Sequence, residues 1–222
     1  MERSVQYSDN DYIVQQVLSK FSFALLFMTV GMVLGALLVP PAIASMMPFL
    51  CMFVLLGAFM VRRGQRSESG MVTYSMSFVY GFAALMGVGI YPSVLYYTQA
   101  IGANLVMTAL GVTFVVLFGL SFYASHTKRN FLNLGSVLFG GLVALILVSL
   151  VGLFIHATAL QITVTVGGLF IFSGYVLYDV QLMRSGLLTE EDVPMMVLNL
   201  FLDFINLFLY ILRMLGFLAS ND

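Results

Sequence analysis

The chain has 222 residues, of which 61% are hydrophobic and only 9% charged, and its formal net charge is -1. An ordinary soluble domain carries about 25% charged residues, so a soluble fold is excluded. With no basic run or acidic tail, no nucleic-acid partner is expected.

Residues 1–20 form a polar lead containing Glu2, Arg3, Asp9, Asp11 and Lys20. Within it Ile13, Val14, Val17, Leu18 and Phe21 fall at helical spacing. That pattern predicts either a short amphipathic helix on the membrane surface or a simple extension of the first span. No signal-peptide core is recognisable there, so targeting is assigned to the first span itself. Seven apolar runs follow, each judged against the roughly 20 residues needed to cross the hydrocarbon. They are Phe21–Val39, Ala42–Val61, Val72–Ile90, Gly102–Ala124, Leu132–Ile155, Leu160–Met183 and Pro194–Leu218. Pro40 and Pro41 part the first run from the second. The predicted fold is all-α, with seven transmembrane helices in one domain over residues 21–218 and a short tail over 219–222.

Basic residues set the expected orientation. Arg3 and Lys20 lie in the lead, Arg62, Arg63 and Arg66 in the second connection, Lys128 and Arg129 in the fourth, and Arg184 in the sixth. The first, third and fifth connections carry no Lys or Arg, and Arg213 is the lone basic residue towards the other face. The N-terminus is therefore expected in the cytoplasm and the C-terminus outside. Gly31 and Gly35 in the first run, and Gly81, Gly87 and Gly89 in the third, are expected to admit close helix packing. Pro48 falls near the start of the second run, where proline disrupts least. Cys51 is the only cysteine. It excludes an internal disulfide, makes a sulfur-based metal site improbable, and reads as a small lipid- or core-facing residue. Tyr91, Tyr96 and Tyr97 fit an interfacial aromatic belt. His126 and His156 read as solvated residues near helix ends. Glu190, Glu191 and Asp192 sit just before Pro194, where acidic side chains favour a helix N-terminus.

The last run carries the most information. Asn199, Asp203, Asn206, Tyr210 and Arg213 recur at steps of four and three, which places them on one helical stripe. Lipid cannot hydrate such groups, and a charge at the middle of a span costs roughly 2.5–3.5 kcal/mol on insertion scales. The stripe must face protein or water, as the polar seam of a central helix. Tyr178 and Asp179 close the sixth run, which pairs with the seventh as an antiparallel hairpin turning near Ser185–Val193. Asp179 and Asp203 are thereby expected at similar depth. Were they to meet, the two carboxyls would resist being ionised together, share a proton and titrate in coupled steps. Arg62, at the cytoplasmic end of the second run, is the first candidate for a basic latch on such a pair, with Arg63 its rival. Asn199 and Asn206 are expected to hydrogen-bond between helices, and Arg213 to snorkel to the interface.

These residues carry a family resemblance. Tyr178-Asp179 and the stretch Leu202-Asp203-Phe204-Ile205-Asn206-Leu207-Phe208 resemble the Bax inhibitor-1 family, also called the transmembrane Bax inhibitor motif family. Arg62, Gly81-Phe82, Gly89 with Pro92, Ala109-Leu110-Gly111-Val112-Thr113-Phe114 and Gly216-Phe217 extend the match along nearly the whole chain. The compact loops look like those of bacterial members. The resemblance implies a pH-sensitive calcium leak channel whose seventh helix is surrounded by the other six. Asp179 and Asp203 would be its di-aspartyl pH sensor and Arg62 its latch; the stripe of Asn199, Asn206, Tyr210 and Arg213 is then expected as the polar seam of the pore, and the two carboxylates, as oxygen ligands that suit a hard cation, as transient Ca²⁺ ligands. It implies no cofactor beyond Ca²⁺ as transported ion. The expected partners are the bilayer, Ca²⁺ and protons, with a membrane-protein partner also open.

An enzyme is not expected. An intramembrane aspartyl protease also uses two acids on neighbouring helices, but its second acid follows a Gly-x-Gly stretch. Here Leu200-Phe201-Leu202 precedes Asp203. A retinal protein would need a lysine in the last span, and there is none. The competing reading is a non-conducting scaffold or modulator of a membrane-bound protease; the resemblance implies that some bacterial relatives lacking the acids modulate such a protease, and the presence of both acids here argues against that as the main role.

Overall fold

The computed structural model describes residues 2–152, 154–155 and 157–219, with side chains from residue 12 onward. The side chains of Glu2, Arg3, Asp9 and Asp11, the whole of His156 and the tail beyond Ala219 lie outside the described residues. Among the described residues the regular structure is helical, apart from one isolated antiparallel bridge between Arg66 and Val72. In chain order the helices are α1 Glu2–Leu38, α2 Pro41–Ala44, α3 Met47–Arg62, α4 Met76–Ile101, α5 Ala103–His126, α6 Gly135–Gly152, α7 Thr158–Arg184 and α8 Val193–Ala219. Single 3-10 turns at Leu132–Leu134 and Glu190–Asp192 lead into α6 and α8.

Among the described residues seven segments are long and apolar enough to cross a membrane: Tyr12–Leu38, Pro41–Arg62, Met76–Ile101, Ala103–His126, Leu132–Gly152, Thr158–Arg184 and Glu190–Ala219. The chain is an integral, multi-pass membrane protein. Burial singles out the last segment, whose most apolar stretch is 67% buried against 6–39% in the other six. Phe201, Phe204, Met196, Leu200 and Ile205 are its largest fully enclosed side chains. Lipid tails are as apolar as leucine, so such burial stabilises through close packing and dispersion rather than escape from water.

The structure falls into two compact units. The first comprises Met1–Tyr96 and Met183–Phe201. Here α1 runs unbroken from the lead into the first span, and Ile13, Val17, Phe21 and Ala24 form its buried stripe. It meets α4 at backbone distance: a Cβ on Gly31 would strike the Ala84 carbonyl, and one on Gly87 the Met28 carbonyl. Gly35 rests on Val88 and Tyr91, and Gly89 on Pro48. Gly81, expected to share this role, has no neighbour within 4 Å of such a Cβ. Cys51 is buried. Pro48 lies in the first turn of α3, after a break at Ser45–Met46.

The largest boundary change concerns the third span, which starts at Met76 and not Val72 and runs on to Ile101 and not Ile90. Val72 and Tyr74 are buried within the preceding connection instead (5% and 7% exposed), and Ser75 caps the helix by accepting the Phe78 N–H at 3.2 Å. At the far end α4 continues through Pro92, since a membrane helix absorbs the one backbone hydrogen bond that proline removes. That extension changes the reading of Tyr91. It is buried, with its hydroxyl donated to the Val39 carbonyl, while Tyr96 remains exposed.

The second unit comprises Tyr97–Leu182 and Leu202–Asp222. Glycines again mark where helices meet: Gly135 lies against Tyr178, Gly174 against Leu138 and Gly168 against Tyr210. Phe114 of α5 packs on Phe204 of α8, ring centroids 5.0 Å apart. Gln181 ties the α5–α6 connection to α7 by accepting the Phe131 N–H at 2.6 Å and donating to the Arg129 carbonyl at 2.7 Å.

Candidate functional site

Within the second unit, α7 and α8 bring their acidic residues together. Asp179 and Asp203 are 2% and 4% exposed, and the two carboxyls lie within electrostatic reach of one another. Asp203 Oδ2 is fully enclosed and has no hydrogen-bond partner among the described residues. A buried, unsatisfied carboxyl oxygen is costly, on the order of 1–3 kcal/mol or more, and structures rarely keep one without use. Tyr175, four residues before Asp179 and so on the same face of α7, lies within reach of both acids. Tyr178, next to Asp179 in the Tyr-Asp dipeptide, lies within electrostatic reach of Asp179 and has its ring against Gly135. The i to i+4 spacing of Tyr175 and Asp179 was the signal to follow.

The rest of the stripe divides. Asn199 is half-buried. Asn206 was expected to bond across helices, yet its Nδ2 donates at 2.7 Å to the Leu202 carbonyl of its own helix, the local alternative always open to a short amide. Tyr210 is half-buried, its ring lying against Gly168 and 5.9 Å from the ring of Phe172. Arg213 is exposed, its guanidinium 5.8 Å from the Tyr210 ring centroid. Tyr210 and Arg213 line a cleft of about 420 Å³ together with Ser149, Gln161, Leu160 and Val164.

In the first unit Arg62 is half-buried. It donates to the Thr73 carbonyl at 3.1 Å, and its guanidinium sits 6.0 Å from the Tyr74 ring centroid. Burial pushes the Tyr74 phenol above its ordinary value, with Arg62 opposing, so the ring stays neutral beneath the cation. Arg63 is exposed. His126 ends α5, exposed, with Nδ1 2.9 Å from the Phe122 carbonyl oxygen.

Sequence reasoning also missed the burial of a third acid. Asp192, 0% exposed, accepts from the Ser67 hydroxyl, from the Ser69 hydroxyl at 2.8 Å, and from the Thr189 N–H and hydroxyl at 2.8 and 3.1 Å. Its capping role was readable from Thr189 and Asp192 at capping-box spacing. Its hold on a loop about 125 residues away left no local trace. Among the described residues, no group of three or more His, Cys, Asp and Glu side chains is gathered as a metal site.

A family model described as "Inhibitor of apoptosis-promoting Bax1" matches residues 10–221. An uncharacterized protein of Helicobacter pylori (strain J99) is 29% identical over 203 residues, covering 91% of this chain and 85% of the relative. An uncharacterized membrane protein of Vibrio cholerae is 28% identical over 185 residues, 83% of this chain and 79% of the relative. A Golgi anti-apoptotic protein of vaccinia virus (strain Lister) is 36% identical over 112 residues, 50% of this chain and 47% of its own length.

Proposed function

This chain belongs to the Bax inhibitor-1 family, and from that premise we propose that it is a pH-sensitive calcium leak channel of a bacterial inner membrane. Asp179 and Asp203 form its proton sensor, and Arg62 is the basic latch. The observation that carries the reading is the pair itself: two enclosed carboxyls on neighbouring helices, within electrostatic reach, one with an orphaned oxygen. Two like charges about 4 Å apart repel by roughly 4 kcal/mol at an effective dielectric constant near 20. Even half of that separates two conformations by more than a decade in population. Taking up or losing one shared proton is thus a sufficient stimulus to shift the bundle between a held and an open form. The role of Arg62 rests on the family resemblance.

Carboxylates suit Ca²⁺, a hard cation that takes oxygen ligands, and a transient visit to the pair agrees with a leak better than a closed cage would. The N-terminus faces the cytoplasm and the C-terminus the outside, by the eight-to-one division of basic residues. The test is Ca²⁺ flux into proteoliposomes from acid to neutral pH, for the wild type, Asp179→Asn and Asp203→Asn. Wild-type flux is expected to change with pH, and either substitution to flatten the profile. A flat wild-type profile removes the sensor. Unchanged flux in both variants favours the non-conducting scaffold or protease modulator.

A further inference from the structure

We propose that Tyr210 is an aromatic plug, standing between the Arg213 cleft and the buried aspartates and closing the ion path at that level. This rests on the leak reading above and adds the residue that limits it. Tyr210 is one of the residues that line the cleft. Tyr210 and Asp203 are seven residues apart on one stripe of α8, about 10 Å along the axis. Both turn to α7, Tyr210 to Gly168 and Phe172, and Asp203 to Tyr175 and Asp179. Moving along this seam from the cleft, the order is Arg213, then the Tyr210 and Phe172 rings, then Tyr175, then the acids. Two large rings, with Phe172 itself 7% exposed and 5.9 Å from the Tyr210 ring, thus stand between the cleft and the acids in the order of residues along α7 and α8.

Three features hold the ring in place. Gly168 is the seat, because a Cβ there would run into the Tyr210 ring. Phe172 flanks it. Arg213 lies over it at cation–π distance. A tyrosine in a seat of this kind can swing aside by a rotamer change, whereas an aliphatic residue would leave a gap.

Ca²⁺ flux is measured in proteoliposomes for Tyr210→Ala, Gly168→Ala and Tyr210→Phe. Removing the ring, or displacing it with a methyl group on its seat, is expected to raise flux severalfold, and Tyr210→Phe, which keeps the ring, to raise it far less than Tyr210→Ala. An independent readout needs no conduction. Tyr175→Cys in a Cys51→Ala background is exposed to a membrane-impermeant thiol reagent on the Arg213 side, with and without Tyr210→Ala. Labelling is expected only when the ring is gone. If the wild type leaks and Tyr210→Ala leaks no faster, the plug is overturned and the channel stands. If the wild type carries no Ca²⁺, the leak reading falls and the labelling decides. Labelling of Tyr175→Cys with Tyr210 intact overturns the plug in either case.

Discussion

Asp192 and Asp203 are both buried acids on the last span, and their surroundings assign them opposite work. Asp192 has four donors and no orphaned oxygen, so its charge is compensated locally and its task is structural. Asp203 keeps one oxygen unpartnered, which costs stability; under the function proposed above, that group is held for a proton or a cation. Asp192→Ala removes the acceptor for Ser67, Ser69 and Thr189 together. With hydrogen bonds to a charged group contributing about 1.5–3 kcal/mol each but overlapping strongly, a net loss of roughly 2–4 kcal/mol is expected. It would be read as a lowered midpoint of thermal unfolding in detergent. Asp203→Asn should leave that midpoint unchanged or raise it. The stripe of Asp203 was plain in the sequence because polar residues in a spanning helix have nowhere to go but inward. The Ser67–Asp192 contact was not, because it depends on which residues the fold brings opposite; Tyr175 was legible only through its i to i+4 spacing from Asp179.

At the scale of helices, the contact of α1 with α4 depends on the absence of two side chains. Gly31→Val and Gly87→Val each force a methyl-bearing carbon into a facing backbone carbonyl, and backbone cannot move aside as a flexible side chain can. Both are expected to abolish recovery of folded, monodisperse protein. Gly81→Ala, on the same helix with open space around it, should be tolerated and gain up to about 1 kcal/mol of helix propensity. Size-exclusion profiles and thermal midpoints of the three variants check this contrast. The sequence identified the glycines and the seven spans, since apolar length against polar interruption is all that lipid demands. It did not rank Gly81 below Gly87, which requires knowing the facing helix. Nor did it delimit α4, where Val72 and Tyr74 are apolar for a buried loop and Pro92 is a residue the helix passes through.

Across the whole molecule, seven spans is an odd number, so the two ends of the membrane domain emerge on opposite faces. Reporter fusions that fluoresce only in the cytoplasm and enzymes active only outside it should place Lys128 with the N-terminal side and Ala219 on the other. A fusion result putting both ends on one face would remove a span. The first unit has a temporal consequence as well. It is assembled from Met1–Tyr96 and Met183–Phe201, two stretches made far apart in synthesis, and the Ser67 and Ser69 hydroxyls find their carboxylate only when Asp192 has left the ribosome. At ~5–20 residues per second, the early helices wait on the order of ten seconds for the piece that completes them. During that interval the nascent chain is open to the membrane's proteases and chaperones.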